Sequence, residues 1–352
     1  MQIYSNVPLS TILWYQIGGI VDTVIDVSSK EDLHEALKYI DDNNFSDIFV
    51  IGLGSNMLFP DKGFNGVILR FLNQKDGEGI RKISDTVIES FAGETLDSVI
   101  NFSLDNGLVG LEWAGGLPGI VGAAVRGNVG AFGGEIKDVF YKAHCIKILQ
   151  HGGYEELILD SSDMEFAYRT SRVKTHSAGL TSHSTLRDEP SGSDSKSSPQ
   201  ASSGQAKKLI VVSAQFELKK ATPEELLRAR EVYYENILYR QNKHPLDYPN
   251  CGSVFKNISK PYEVKKVISV WPDIKSLVDT KWHGKVSMGY IIDRLGLKGK
   301  QIGNAQISEK HQNFIVNLGG AKAHDVKEII AMVEKKVQDE FGFTPEVEIE
   351  IV

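Results

Sequence analysis

Two glycine-rich segments carry the residue types best suited to bind a phosphate-bearing ligand. The first, residues 52–56 (GLGSN), directly follows the apolar run 48–52, which predicts a buried strand. Glycines at a strand end let backbone N–H groups approach a phosphate, and Ser55 and Asn56 can add side-chain donors. The segment is neither a P-loop nor a Rossmann GxGxxG motif, and a plain tight turn is the alternative interpretation.

The second segment, residues 115–135 (GGLPGIVGAAVRGNVGAFGGE), is longer and richer in small residues. Such residues can wrap an extended, flat, diphosphate-bearing cofactor through main-chain hydrogen bonds. A glycine-rich structural turn in a sheet protein is the alternative. The two segments lie roughly 60 residues apart on either side of a β-rich stretch, which favours one shared ligand.

The rest of the chain predicts an α+β architecture that would position these segments. Helix starts carry capping signals, most clearly where Thr222 and Glu225 flank Pro223. A helix is expected from about Thr95 to Gly107, and a long one from about Ala323 to Phe341. Strand-like runs occur at residues 22–27, 48–52, 67–71, 210–218 and 345–351, so the last third should form its own layer.

Residues 175–208 differ in composition from everything around them. Ten of them are serine, large apolar side chains are almost absent, and proline and glycine are scattered through the segment. Such a sequence buries too little surface to offset its ordering entropy, so a disordered, mobile insertion is predicted.

Composition and charge exclude several classes of protein. Hydrophobic residues make up 41% and charged residues 24% of the chain, which is typical of globular domains, and the net charge of −7 argues against a nucleic-acid partner. Neither a signal peptide nor an apolar stretch of about 20 residues is present, so we expect a cytoplasmic protein without a membrane partner. Cys145 and Cys251 are the two cysteines, and the nine histidines show no ligand spacing, so no metal site is expected.

Seven motifs make the interpretation specific. In their sequence and order they resemble those of UDP-N-acetylenolpyruvoylglucosamine reductases, the MurB family, in its shorter, type II-like form. The resemblance implies an FAD-binding module of the vanillyl-alcohol-oxidase (PCMH) type over residues 1–218, divided near residue 75, and a C-terminal α+β substrate-binding domain over residues 219–352. The motifs span nearly the whole chain, at residues 5–19, 52–69, 110–135, 166–171, 251–257, 296–317 and 345–349.

The resemblance also implies a reaction and its cofactors. FAD would be bound noncovalently, NADPH would donate the hydride, and the enolpyruvyl ether of UDP-N-acetylglucosamine enolpyruvate would be reduced to UDP-N-acetylmuramate for peptidoglycan synthesis. The motif match assigns cofactor binding to residues of both glycine segments: Gly52, Gly54, Ser55, Asn56, Met57, Gly116, Pro118, Gly119, Gly122, Ala123, Asn128, Gly130 and Ala131.

Three residues match the family's catalytic positions. Reducing an enolpyruvyl double bond requires hydride at C3 and a proton at C2, while negative charge spreads into the carboxylate. By motif match Arg169 would stabilise that charge, Ser253 would donate the proton, and Glu346 would be a second acid. Residue type alone would instead assign Arg169 to a surface ion pair and Ser253 to a turn. Glu348 and Glu350 alternate with Glu346, so spacing alone does not select it.

Substrate contacts are implied for five further residues. Lys256 and Asn257 match positions near the nucleotide sugar, while Tyr168, Arg240 and Lys243 are candidates for the diphosphate. The chain departs from the family where Asn257 is followed by isoleucine instead of the usual proline, which puts the rigidity of this loop in doubt.

A monomer is expected, and two other functions remain open. One is another flavin oxidoreductase of the same fold, such as a sugar or lactone oxidase. Such enzymes often attach flavin covalently through histidine or cysteine in the glycine segments, and residues 110–135 contain neither. The other is a non-catalytic nucleotide-sugar-binding protein, against which the presence of Arg169, Ser253 and Glu346 argues.

Overall fold

The first layer is a four-stranded sheet in the order β1-β2-β5-β3, in a computed structural model that describes residues 1–74, 78–149, 153–177 and 208–352. Strand β1 is antiparallel to β2, whereas β2, β5 and β3 are parallel. The amphipathic helix α1 buries Leu33 and Leu37 against this sheet, and the Ser29 side chain caps its first turn. The elements are β1 (Gln2–Pro8), β2 (Ile20–Val27), α1 (Lys30–Asp42), β3 (Ile48–Ile51), β4 (Met57–Leu58) and β5 (Phe64–Phe71).

The second layer is an antiparallel five-stranded sheet in the order β12-β11-β13-β7-β6. Helix α2 begins after Thr95, as predicted, and the Thr95 hydroxyl caps it by accepting a hydrogen bond from Ser98 N. The elements are β6 (Ile80–Lys82), β7 (Val87–Phe91), α2 (Leu96–Asp105), β8 (Leu108–Val109), α3 (Val121–Gly127), β9 (Gly130–Ala131), β10 (Gly134–Glu135), β11 (Phe140–Ile148), β12 (Tyr154–Asp160), α4 (Arg172–Ser177), β13 (Leu209–Glu217) and β14 (Lys219–Lys220).

The last third forms a separate core around helix α9 and a small antiparallel sheet, β15-β16-β17. The final strand, β18, leaves this core and pairs in parallel with β4, next to the first glycine segment. The elements are α5 (Pro223–Lys243), α6 (Pro261–Val270), α7 (Lys275–Thr280), α8 (Met288–Arg294), β15 (Gln301–Ile302), β16 (Ala305–Ile307), β17 (Ile315–Asn317), α9 (Ala323–Phe341) and β18 (Glu350–Ile351).

Helix α5 packs differently from what a division after residue 218 would suggest. Its Ala229 and Tyr233 lie in the core of the first two layers, and β14 pairs with β8 of the second layer. The buried core of the last third begins with Cys251. Packing therefore favours a boundary after α5 over one at residue 218.

The predicted insertion, residues 175–208, lies mostly outside the described residues. Its first three residues complete helix α4, and Lys208 directly precedes β13. Among the described residues, no helix combines the length and the apolar composition that a membrane span requires.

Candidate active site

A cavity of about 1290 Å³ lies where the two layers and the C-terminal core meet. Both glycine segments line it, and so do Arg169, Arg240 and Ser253. The structure thus brings together parts of the chain up to about 200 residues apart. Twelve of the thirteen residues expected to bind cofactor line the cavity: Gly52, Gly54, Ser55, Asn56, Met57, Gly116, Pro118, Gly119, Gly122, Ala123, Gly130 and Ala131.

The first glycine segment forms a tight loop with free backbone donors. Gly54 has φ +63°, a conformation that favours glycine, and its backbone lies against Leu13. The N–H groups of Gly54, Ser55 and Asn56 have no acceptor among the described residues. Three consecutive unpaired N–H groups on a cavity wall suit the oxygens of a diphosphate.

The second glycine segment contributes a wall with room for a ligand. Gly116 and Gly119 have φ +69° and +151°, and a Cβ at Gly119 would have no atom within 4 Å. Asn128 is the exception among the expected cofactor residues. It is fully buried, its side chain donates to Glu135 Oε2 and Ala167 O (both 3.0 Å) and accepts from Lys137 N, and it does not line the cavity. Asn128 therefore holds the segment in shape.

Arg240 lines the cavity and has one buried, unused donor. Its guanidinium is buried, Nε donates to Gly115 O at 2.9 Å, and Nη2 has no partner among the described residues. Burial lowers the pKa of Arg240 to about 10, so it still carries a charge at neutral pH. A buried cation with an unpaired N–H is costly without an anion, which points to an anionic ligand here. Lys243, by contrast, is exposed and lies off the cavity.

Arg169 and Ser253 face the same cavity from two different loops. Arg169 has φ +58°, and its Nε lies 2.8 Å from Glu348 Oε1. This contact is an ion pair, because Nε, like the two terminal nitrogens, makes no hydrogen bond to an acceptor in the described ranges of the chain. Ser253 follows Gly252, which has φ +79°, and its hydroxyl is likewise unpaired among the described residues. A cation and a hydroxyl donor therefore remain available to a ligand.

The remaining predicted residues do not line the cavity. Glu346 is about half-exposed and pairs with Lys256. Asn257 Oδ1 accepts a hydrogen bond from the backbone N–H of Met288 at 3.1 Å, and this bond fixes the loop that carries Asn257. Tyr168 lies under the Lys285 ammonium, 4.1 Å from the ring centre, and burial raises the pKa of its hydroxyl.

The cavity is also lined by charged or titratable residues that the sequence did not single out, among them Lys174, His244 and Glu348. Burial lowers the pKa of His244 to about 4, so the ring is neutral, and it packs on Phe314 with centroids 5.0 Å apart. The sequence contained a signal for Glu348, because it alternates with Glu346 along the last strand-like run and so lies on the same face of it. His244 had none. Among the described residues, no group of three or more His, Cys, Asp or Glu side chains could hold a metal ion.

Comparisons with known proteins agree with this arrangement. The family model of the UDP-N-acetylenolpyruvoylglucosamine reductase C-terminal domain matches residues 244–352, and an FAD binding domain matches residues 21–147. The UDP-N-acetylenolpyruvoylglucosamine reductase of Caldicellulosiruptor bescii is 33% identical over 98% of this chain and 89% of that protein. Its counterpart in Lactococcus lactis subsp. cremoris SK11 is 31% identical over 99% and 93%. The crystal structure of the Thermus caldophilus reductase (MurB) superposes with a TM-score of 0.64, at 25% identity over 100% and 99%.

The fold and the cavity define an FAD-dependent oxidoreductase with an FAD-binding module of the vanillyl-alcohol-oxidase type and a C-terminal α+β domain. The predicted fold class and cofactor are therefore confirmed. Identity to several relatives extends over nearly the whole chain. The chain belongs to the UDP-N-acetylenolpyruvoylglucosamine reductase (MurB) family.

Proposed function

We propose how this chain's residues carry out its family's reaction, the NADPH-dependent reduction of UDP-N-acetylenolpyruvoylglucosamine in peptidoglycan synthesis. FAD, when bound, relays hydride from NADPH to the substrate. One observation carries the proposal: the unpaired ends of Arg169 and Ser253 face the same cavity that both glycine segments line. These are the cation and the proton donor that reduction of an enolpyruvyl group requires.

The protein holds the cofactor largely through its backbone. The N–H groups of Gly54, Ser55 and Asn56 would bind the diphosphate, and the second glycine segment would cover the flat part of the molecule. Arg240 would place its free Nη2 against an anionic group of cofactor or substrate. Asn128 acts indirectly, by fixing the turn after α3.

The chemical step depends on residues of both parts of the chain. The two terminal nitrogens of Arg169 would hold the substrate carboxylate and stabilise the negative charge that develops there. Ser253 would deliver the proton to C2. Glu346 and Lys256, which pair at the outer edge of the site, would meet the substrate together with Tyr168 and Asn257. Lys243, exposed at the end of α5, would contact only the outer part of the UDP group.

The site needs only one copy of the chain, because the glycine segments, Arg169 and Ser253 all come from it. We therefore extend the proposal to a monomer. A cytoplasmic location follows from the proposed substrates, since NADPH and nucleotide sugars are made and used in that compartment.

The test is an activity measurement on the purified full-length chain. We expect a flavin absorbance spectrum, and NADPH oxidation that is fast only when UDP-N-acetylenolpyruvoylglucosamine is present. Oxidation of sugars or lactones with no response to the UDP-sugar would favour the oxidase alternative. Binding of the UDP-sugar without any NADPH oxidation would favour a non-catalytic binding protein.

Denaturing the protein is expected to release all of the flavin. The two buried thiols are poor nucleophiles, because burial raises the pKa values of Cys145 and Cys251 to about 12. Residues 110–135 contain neither histidine nor cysteine. Whether the flavin is covalently attached is measured by the mass of the denatured polypeptide and by the flavin content of the supernatant. A polypeptide heavier by one FAD would contradict the prediction and point to His244, which lines the cavity.

A further inference from the structure

The C-terminal segment, residues 346–350, is hydrogen-bonded to two parts of the active site. Lys256 N donates to Glu346 O at 2.9 Å, and Glu348 N donates to Val254 O at 2.8 Å, next to Ser253. Glu350 N then donates to Asn56 O at 3.0 Å, in the first glycine segment. A residue in the middle of this segment is therefore fixed relative to both the loop that carries Ser253 and the first glycine segment.

Glu348 occupies that middle position, and its side chain points into the cavity wall. The carboxylate is 17% exposed, and its Oε1 lies 2.8 Å from Arg169 Nε. A carboxylate buried to this degree costs free energy unless a cation compensates for it. Burial raises the pKa of the Glu348 carboxyl, and the positive charges of Arg169, Lys174 and Lys256 offset part of that effect.

Arg169 needs such a partner to keep its guanidinium in one orientation toward a substrate carboxylate. An arginine side chain has several rotatable bonds, and fixing it costs conformational entropy. The Arg169 backbone is already fixed, because Lys174 Nζ donates to its carbonyl oxygen at 3.1 Å and Ala167 pairs with Thr170. The side chain is held by its ion pair with Glu348 on the Nε side, which is a charge contact at 2.8 Å without the alignment of a hydrogen bond. The edge formed by the two terminal nitrogens therefore remains for another carboxylate.

We propose that Glu348 is a positioning residue for the reaction: it holds the Nε side of Arg169 so that the terminal nitrogens meet the substrate carboxylate. The inference rests on the proposed role of Arg169. It assigns Glu348 a role separate from that of Glu346, which lies two residues earlier, is about half-exposed and pairs with Lys256 outside the cavity.

Glu348→Gln tests the proposal in the FAD-loaded, full-length protein. The variant keeps the size of the side chain and removes its charge, so Arg169 loses its anchor. We expect reduction of the flavin by NADPH to keep its rate, and its reoxidation by saturating substrate to slow about 10- to 100-fold, the cost of a displacement of about 1 Å. Glu348→Asp, which keeps the charge, should recover part of that loss. Asp273→Asn breaks a comparable ion pair with Arg294 away from this cavity and should change neither rate.

A double variant separates positioning from other roles. If Glu348 acts through Arg169, adding Glu348→Gln to Arg169→Lys should slow reoxidation less than twofold further. The full single-variant effect in that background would show that Glu348 acts independently. Equal slowing of both half-reactions, or loss of flavin, would show a structural role, and an unchanged reoxidation rate would also overturn the proposal.

Substrate binding supplies a readout other than turnover. Titrating the oxidised protein with UDP-sugar, without NADPH, gives the dissociation constant from the change in flavin absorbance. We expect Glu348→Gln to change it less than threefold, because the charge on Arg169 remains and only its direction is lost. A loss of binding as large as the loss in rate would contradict positioning. An unmodified chain that fails to respond to the substrate would instead refute the proposed function.

Discussion

Ser253→Ala is expected to slow reoxidation of the flavin by substrate about 10²–10⁴-fold, the usual contribution of a general acid. The reason is that this half-reaction needs a proton at C2, and the Ser253 hydroxyl is an uncharged donor on the wall of the cavity that Arg169 also lines. The other half-reaction, in which NADPH gives up its hydride, involves no substrate proton and should keep its rate. Stopped-flow absorbance measures the two half-reactions separately.

Ser269→Ala is the matched control, since its hydroxyl donates to Lys266 O on an exposed face and Ser269 does not line the cavity. Both half-reactions should be unchanged in this control. Equal slowing of both half-reactions in Ser253→Ala would mean that the loop after Gly252 has shifted. A reoxidation rate within twofold of the unmodified protein would remove Ser253 from the mechanism.

The sequence predicted best those features that depend on a few adjacent residues. Helix α9 spans the range expected from its apolar periodicity, and α5 begins with the predicted capping box, in which Glu225 N donates to Thr222 Oγ1 and Thr222 N to Glu225 Oε2. The two glycine segments could also be identified from the sequence, because a strand followed directly by glycines is a local pattern, and several of these glycines have left-handed backbone conformations.

Features that depend on side-chain direction or on distant contacts were not predictable. Asn128 lies in the second glycine segment, yet its side chain turns inward because its backbone is left-handed and three hydrogen bonds hold it there. The pair formed by Arg169 and Glu348 joins residues 179 positions apart. Helix α5 packs on the core of the first two layers. The sequence of α5 shows that one face is buried but not which of the two cores covers it.

Gly54→Ala is expected to leave the purified protein with little or no FAD. Gly54 has φ +63°, where a Cβ costs about 1–2 kcal/mol, and the added carbon would lie 3.1 Å from Leu13 Cα and 2.5 Å from its Cδ2. The Leu13 side chain can turn away, but its backbone cannot, so the loop must move. That movement would misdirect the three N–H groups proposed to bind the diphosphate, and we expect FAD affinity to fall at least about tenfold, or about 1.4 kcal/mol.

Gly296→Ala separates loop geometry from backbone strain. Gly296 has φ +72°, nearly the same conformation, but a Cβ there would have no atom within 4 Å, and the residue does not line the cavity. Without FAD, Gly296→Ala should lose the thermal stability that backbone strain alone costs, and Gly54→Ala should lose at least as much. Only Gly54→Ala should lose flavin content and FAD affinity, measured by absorbance and by titration of the FAD-free protein. If both variants lose FAD equally, strain alone is responsible. If Gly54→Ala retains full affinity, the diphosphate does not bind at the first glycine segment.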